Sequence, residues 1–284
     1  MYFPRGFDRD LSIELGELVC QAYDQFEAFE NERTWKLAGG YSLMVELTYV
    51  WSAGRALDRG RHNFDATLRR LSPSRKTKIV DIPIGFIAQR RDSIFLILRG
   101  TRTITEWIRN FGINLSPYVL PSFGKVHAGF LETYNLIRPA VMTTLSAAGP
   151  KTKLYVAGHS LGAAVTVCAL PDIETVTRHR VQALYTFGSP RVGDDQFVQA
   201  FNAIFARRSF RIANTSDIVT SIPLPVPIAG IVGGYFSHVE TPVDMTIQKG
   251  DLDANHNMRT YLAALSGIRG RKGLFAKLMA KDPP

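Results

Sequence analysis

The segment Gly158-His159-Ser160-Leu161-Gly162 sets a serine between two glycines, each two positions away. A G-x-S-x-G pattern suits nucleophilic catalysis when it joins a strand to a helix through a sharp turn, because the serine hydroxyl then stands above the strand ends. The apolar run Leu154-Tyr155-Val156-Ala157 precedes it and Leu161 to Val167 continues as a helical pattern, so the order is right. Gly158 and Gly162 would remove the Cβ clashes of so tight a turn. The pattern alone turns up in about one chain of this length in ten, so its flanks carry the argument. The helix that follows would point its first amides, Leu161 N–H among them, at a developing oxyanion.

A serine needs a base, and the base needs a carboxylate to orient it, expected downstream in the order Ser, Asp or Glu, His. Beyond Asp217 two histidines remain, His238 and His256. His256 lies in D-A-N-H-N-M-R-T-Y-L, a polar loop entering a helix, from which a side chain can swing over the serine. His238 sits in F-S-H-V-E-T-P-V, which reads as the opening of a strand and a packing role. His256 is therefore the expected base. Asp217 follows strand-like Phe210-Arg211-Ile212-Ala213 and is the expected carboxylate, a simple N-cap being the competing role. Asp194 and Asp195 fall too close behind the preceding strand, and Asp251 and Asp253 lie near His256 in sequence.

The elements that must position these residues follow from apolar periodicity. Leu11, Leu15, Leu18, Val19, Ala22, Phe26 and Phe29 recur every three or four residues, predicting an amphipathic helical segment over 8–35. Strands are predicted at Ile82–Gln89 and Ser93–Leu98 around an Arg90-Arg91-Asp92 turn, then at Lys153–Ala157, Val181–Phe187, Ser209–Ala213 and His238–Gln248. Helical patterns at Phe130–Ala148 and Gly162–Leu170 between strands predict an α/β fold, a mostly parallel central sheet with helices on both faces. At 284 residues a single domain, 1–284, is expected.

The composition, 45% hydrophobic and 21% charged, is that of a folded globular protein. A formal charge of +9 would draw anionic partners: nucleic acid, anionic lipid or acidic substrates. No nucleic-acid-binding motif accompanies that charge, so no nucleic-acid partner is expected. Between Arg55 and Lys78 eight basic residues face Asp58 and Asp65, which reads as a solvated surface segment. The tail 267–284 is basic, and Leu274, Phe275, Leu278 and Met279 could share one helical face; a frayed terminal helix is the first reading and contact with an anionic membrane the alternative. Cys20 and Cys168 have no metal-ligand or disulfide spacing, so two free thiols and no metal site are expected. The first ten residues lack the apolar stretch of a secretory signal, which predicts a cytoplasmic, at most peripherally membrane-bound, location. The run Ser221 to Phe236 is short and broken by Pro223, Pro225 and Pro227, so it is not read as a membrane span.

Several ordered motifs, over about 84–265, resemble the lipase class 3 family of fungal-type triacylglycerol lipases and their relatives. L-R-G-T-R-T at 98–103 resembles its F-R-G-[ST] segment and V-H-A-G-F at 126–130 its H-x-G-F. F-G-S-P-R-V-G-D at 187–194 matches the strand after the elbow helix, R-I-A-N-T-S-D-I-V the acid segment and N-H-N-M-R-T-Y-L the histidine segment. The resemblance implies an α/β-hydrolase fold, a Ser160, Asp217, His256 triad, and an oxyanion hole from Thr101 and Leu161. It also implies a lid over Thr103 to Asn114, with Trp107, Ile108 and Phe111, a fixed surface helix being the competing reading, and structural roles for His127 and His159. Leu98 departs from the family's usual Phe, a small change expected to leave the hole undisturbed. The implied activity is two-step hydrolysis of acylglycerol esters without metal or organic cofactor. The apolar run Ile222 to Phe236 would offer an acyl-chain wall. Phospholipase A or galactolipase activity is the alternative substrate reading, and a catalytically idle lipid-binding protein the alternative of another class.

Overall fold

In the computed structural model, residues 2–51, 80–101, 112–149, 151–223, 235–239 and 241–267 are described. Helix α1 (Arg9–Glu30) starts where the Asp8 side chain accepts from Leu11 N, and its apolar stripe Leu15, Leu18, Val19, Ala22 and Phe26 is buried. It stops short of residue 35: Asn31 caps it and Glu32 adopts a left-handed φ of 55°, which turns the chain away.

Seven strands make the main sheet, in the order β1 (Ser42–Trp51), β2 (Val80–Arg90), β3 (Ser93–Leu98), β6 (Lys153–His159), β7 (Val181–Phe187), β8 (Ser209–Asn214), β9 (Thr241–Met245). β1, β2 and β3 pair antiparallel, and from β3 to β9 every pairing is parallel. The β2–β3 hairpin turns on Arg91 and Asp92, since Arg90 pairs with Ser93 and Arg91 has a φ of 56°. A small separate ladder joins β4 (Leu115–Pro117) and β5 (Lys125–His127).

The remaining helices are α2 (Ala128–Ala148), α3 (Leu161–Thr177), α4 (Asp195–Phe205), α5 (Leu252–His256) and α6 (Met258–Ser266). They cover both faces because the strands alternate. Along β3, Ile94, Leu96 and Leu98 join the core beneath α2, α3 and α4, while Phe95 and Ile97 join the core beneath α1 and α6. Burial of each such side chain stabilises by about 1.5–3 kcal/mol. The sheet is thus clamped between two apolar layers, and its parallel strands all end on the side where Ser160 and Asp217 follow.

The last predicted strand is corrected at both ends: it runs over Thr241–Met245, not His238–Gln248, and at its start the His238 ring is held off the ladder by a 2.8 Å bond from Nε2 to Thr220 O. β1 and α4 had no sequence prediction. The basic segment 55–78, the tail beyond residue 267, most of the lid segment and most of the apolar run 222–236 lie outside the described residues. No described helix is long and apolar enough to cross a membrane.

Candidate active site

Ser160 joins β6 to α3 with φ 57° and ψ −125°, a left-handed backbone that a side-chain-bearing residue adopts only under strain. The glycines show why the turn closes. A Cβ on Gly162 would lie 2.4 Å from Arg99 O, and one on Gly158 would lie 2.5 Å from Gly162 O, both backbone atoms that cannot swing aside. The Ser160 amide donates to Phe187 O at 2.9 Å, pinning the turn to β7. Leu161 opens α3, so its amide has no intrahelical acceptor. Ser160 itself is buried and its Oγ has no hydrogen-bond partner.

Asp217 and His256 meet at 2.5 Å, Oδ2 to Nδ1, both about 1% exposed. A carboxylate only accepts, so Nδ1 carries the proton and Nε2 keeps its lone pair. That Nε2 is buried without a partner. Asp217 is also the N-cap of a 3-10 turn at Ile218–Ser221, its Oδ1 accepting from Val219 N at 2.9 Å. Capping and orientation of His256 are therefore done by different oxygens of one buried carboxylate. Tyr261 on α6 donates its hydroxyl to Asp217 Oδ2 at 2.5 Å and accepts from Asn214 N at 3.2 Å. Asn214, the last residue of β8, ties the histidine loop down by donating from Nδ2 to Asn255 O at 3.0 Å.

Thr101 lies just past β3, 8% exposed, its Oγ1 unpartnered. Arg99 bends the chain toward it: Nε and NH2 donate to Pro83 O, NH1 donates to Gly100 O at 2.6 Å, and the guanidinium stacks 3.6 Å from the centroid of Phe26. Next along, Gly100 N donates to Tyr23 OH at 3.0 Å. Tyr23 OH lies 2.7 Å from His159 Nδ1, and His159 Nε2 lies 2.8 Å from His256 O. A backbone carbonyl fixes Nε2 as the protonated nitrogen, so Tyr23 donates to Nδ1. Burial, with the neighbouring His256 second, holds the His159 imidazole well below its usual range, in keeping with a neutral ring.

The other candidates are occupied elsewhere. Asp194 caps α4 by accepting from Phe197 N at 2.8 Å, Asp195 accepts from Ser237 Oγ at 2.5 Å and Asp251 caps α5 by accepting from Ala254 N at 2.6 Å. His238 donates to Thr220 O, and burial pushes its imidazole down to about 3. His127 bridges Gly112 O and Gly129 N, its imidazole pushed down to about 4 by burial. Tyr261 and Tyr23 were not anticipated. Tyr261 was within reach, being in the histidine segment itself, whereas nothing near Tyr23 in sequence signals a partner 136 positions away.

Beside these residues a pocket of about 230 Å³ opens between α1 and the α5–α6 segment, lined among others by Thr101, His256, Asp24, Glu27, Asp253 and Arg259.

Residues 95–226 match the family profile described as lipase (class 3). Over that segment the chain is similar to the class 3 lipases. It is 25% identical to phospholipase A1 EG1, chloroplastic/mitochondrial, of Oryza sativa subsp. indica, over 93% of this chain and 72% of that one. With secreted mono- and diacylglycerol lipase 1 of Fusarium solani the identity is 30% over 59% of this chain and 48% of that one. The chain spans about half the length of that lipase and of other curated relatives. Among solved structures it resembles the lipase of Rhizopus microsporus var. chinensis, with TM-score 0.56 and 23% identity over 84% of this chain and 76% of that one. Rhizomucor miehei triacylglyceride lipase gives TM-score 0.55 and 23% identity over 81% of this chain and 78% of that one. At these identities the structural likeness is one of fold, and that fold is the α/β-hydrolase fold. The proteins matched are lipases and a phospholipase A1 by name.

Proposed function

We propose that the protein is a serine carboxylic-ester hydrolase acting on acylglycerol lipids, with Ser160 as nucleophile, His256 as base, Asp217 as its orienting acid, and Thr101 and Leu161 as oxyanion donors. The observation that carries this reading is that three of the six buried side-chain polar atoms left without a partner among the described residues are Ser160 Oγ, His256 Nε2 and Thr101 Oγ1, the others being on Gln25 and Arg211. Burying a polar group unpaired costs about 1–3 kcal/mol, and such atoms gather where a substrate completes the bonding.

His256 Nε2 takes the Ser160 proton as Oγ attacks the ester carbonyl carbon. The carbonyl oxygen becomes an oxyanion facing the Leu161 amide, the Thr101 amide and the Thr101 hydroxyl. Collapse breaks the bond to the alcohol oxygen, which leaves with the proton from Nε2. Water repeats the cycle on the acyl-enzyme, giving its proton to His256, which returns it to Ser160. Throughout, Asp217 supports the imidazolium without taking its proton.

A fluorophosphonate probe tests the reading. Ser160 is expected to label and Ser160→Ala to lose both labelling and ester hydrolysis, and a Ser160→Ala protein that still hydrolyses sinks it. A phospholipase A1 is the second reading, favoured by the charged pocket wall and by the rice relative of that name.

A further inference from the structure

We propose that Tyr23 and His159 are positioning residues for the ester hydrolysis, joined in one directed row of hydrogen bonds that holds the Thr101 segment and His256 in place around Ser160. The proposal rests on the serine-hydrolase reading above and concerns how that site is kept in register. Separate stretches of chain must meet there: the end of β3 leading to Thr101, the elbow with Ser160, and the α5–α6 junction with His256. Their spacing matters, because displacing a reacting group by about 1 Å costs on the order of a hundredfold in rate.

Tyr23 comes from none of these stretches. It lies on α1, and its hydroxyl accepts at 3.0 Å from the amide of Gly100, the residue before Thr101. The same hydroxyl lies 2.7 Å from Nδ1 of His159, the residue before Ser160. His159 Nε2 in turn lies 2.8 Å from the carbonyl oxygen of His256 itself. The direction of this row is fixed at both ends. The Gly100 amide only donates and the His256 carbonyl only accepts, so in a neutral ring Nε2 carries the proton and the Tyr23 hydroxyl donates to Nδ1. The opposite tautomer would set the Nε2 lone pair against the carbonyl lone pairs. Hydrogen bonds in such a row polarise one another, and this one begins and ends beside groups of the reaction.

The packing leaves little slack. A Cβ on Gly100 would lie 2.5 Å from Ser160 Cβ, 2.8 Å from the Tyr23 hydroxyl and 2.9 Å from His159 O, so the Thr101 segment, the elbow and Tyr23 already touch. On the other side the His159 and His256 ring centroids are 4.5 Å apart, and the ring of Tyr261, which bonds Asp217, is 6.0 Å from that of His159. Neither Tyr23 nor His159 bonds to Ser160 Oγ or His256 Nε2; they act through the backbone of the residues that do the chemistry.

Kinetics on 4-nitrophenyl butyrate with Tyr23→Phe, His159→Gln and the double variant test the proposal. Tyr23→Phe keeps the ring and removes the hydroxyl, while His159→Gln can still donate to His256 O but has no acceptor where Nδ1 stood. Each single change is expected to lower kcat about tenfold with KM altered less than roughly twofold, since the displaced groups act in the transition state. Because the row acts as a unit, the double variant should fall no further than the worse single one, whereas losses that multiply to about a hundredfold overturn the proposal. Leu18→Val, on the buried stripe of the same helix, loosens α1 without touching the row and should leave kcat within about twofold. A loss there equal to that of Tyr23→Phe means that helix packing, not the hydroxyl, is what the site senses, and overturns it. Nitrogen NMR of 15N-histidine protein gives a readout independent of turnover and of whether the variants fold. His159, assigned by connectivity to Ser160, should be a single Nε2–H tautomer in the wild type and a mixture in Tyr23→Phe. An Nδ1–H tautomer in the wild type overturns the proposal. Failure of the hydrolase reading is seen separately, as absence of Ser160-dependent fluorophosphonate labelling and of wild-type 4-nitrophenyl butyrate hydrolysis.

Discussion

His256 presents two nitrogens with opposite tasks, and what distinguishes them is Asp217, whose Oδ2 also takes the Tyr261 hydroxyl. Removing that hydroxyl leaves Asp217 one donor short and Asn214 N without its acceptor. Tyr261→Phe should therefore lower kcat by about tenfold with KM nearly unchanged, and lower stability by about 1.5–3 kcal/mol, read by soluble-ester kinetics and urea unfolding. An unchanged kcat would place Tyr261 outside the catalytic framework. The buried neutral histidines make a second prediction. His127 titrates near 6.5 when unfolded and about 4 when folded, because burial disfavours its cation. The stability it supplies is complete above pH 6.5 and is lost as pH falls toward 4, at up to about 1.4 kcal/mol per pH unit. His238, pushed to about 3, adds a like slope over the same window and further down. Denaturant midpoints should drop between pH 6.5 and 4, and His127→Asn should flatten the profile.

Helices α1 and α6 touch through Gly16, where a Cβ would come 2.6 Å from Leu262 Cδ2 and 2.8 Å from Met258 Cε. Those are ends of flexible side chains, so Gly16→Ala should be tolerated. Gly16→Val should push α6, which carries Tyr261, outward. We expect about 1–3 kcal/mol lost in chemical denaturation and a lowered kcat on soluble esters, although Gly16 touches no reacting atom. Gly162→Ala meets the Arg99 carbonyl instead and should prevent a native elbow altogether, seen as loss of soluble protein and of probe labelling. The two glycines also mark what a sequence can reveal. Gly158 and Gly162 were legible because strand, turn and helix are contiguous there, and period-two and period-3.6 patterns declare themselves over a few residues. Gly16 and Tyr23 were not, since their partners are contributed by distant segments that meet only in the fold. β1 escaped for another reason: Leu43 is exposed although apolar, so the strand lacks the clean alternation that would announce it. For the same reason of context, His238 looked like part of a strand until Thr220 O was there to bind it.

For the whole molecule, the charge of +9 bears on how it would meet a lipid surface. Binding to vesicles containing anionic lipid should weaken steeply between 0.05 and 0.5 M salt, roughly as the Debye length shrinks below 10 Å. Vesicle sedimentation checks this, and salt-independent binding would mean that apolar contacts dominate instead. A different consequence follows from the clasp between the first helix and the last described one, where Gly16 nests on α6 and Arg9 Nε donates to Leu265 O. On the proposed reading, a chain emerging from the ribosome exposes its nucleophile long before its base. Ser160 and Thr101 then wait, inert, until the segment carrying His256 arrives and α6 closes on α1. The moment at which the site becomes competent would thus be set by the closing of α6 on α1 rather than by the making of Ser160.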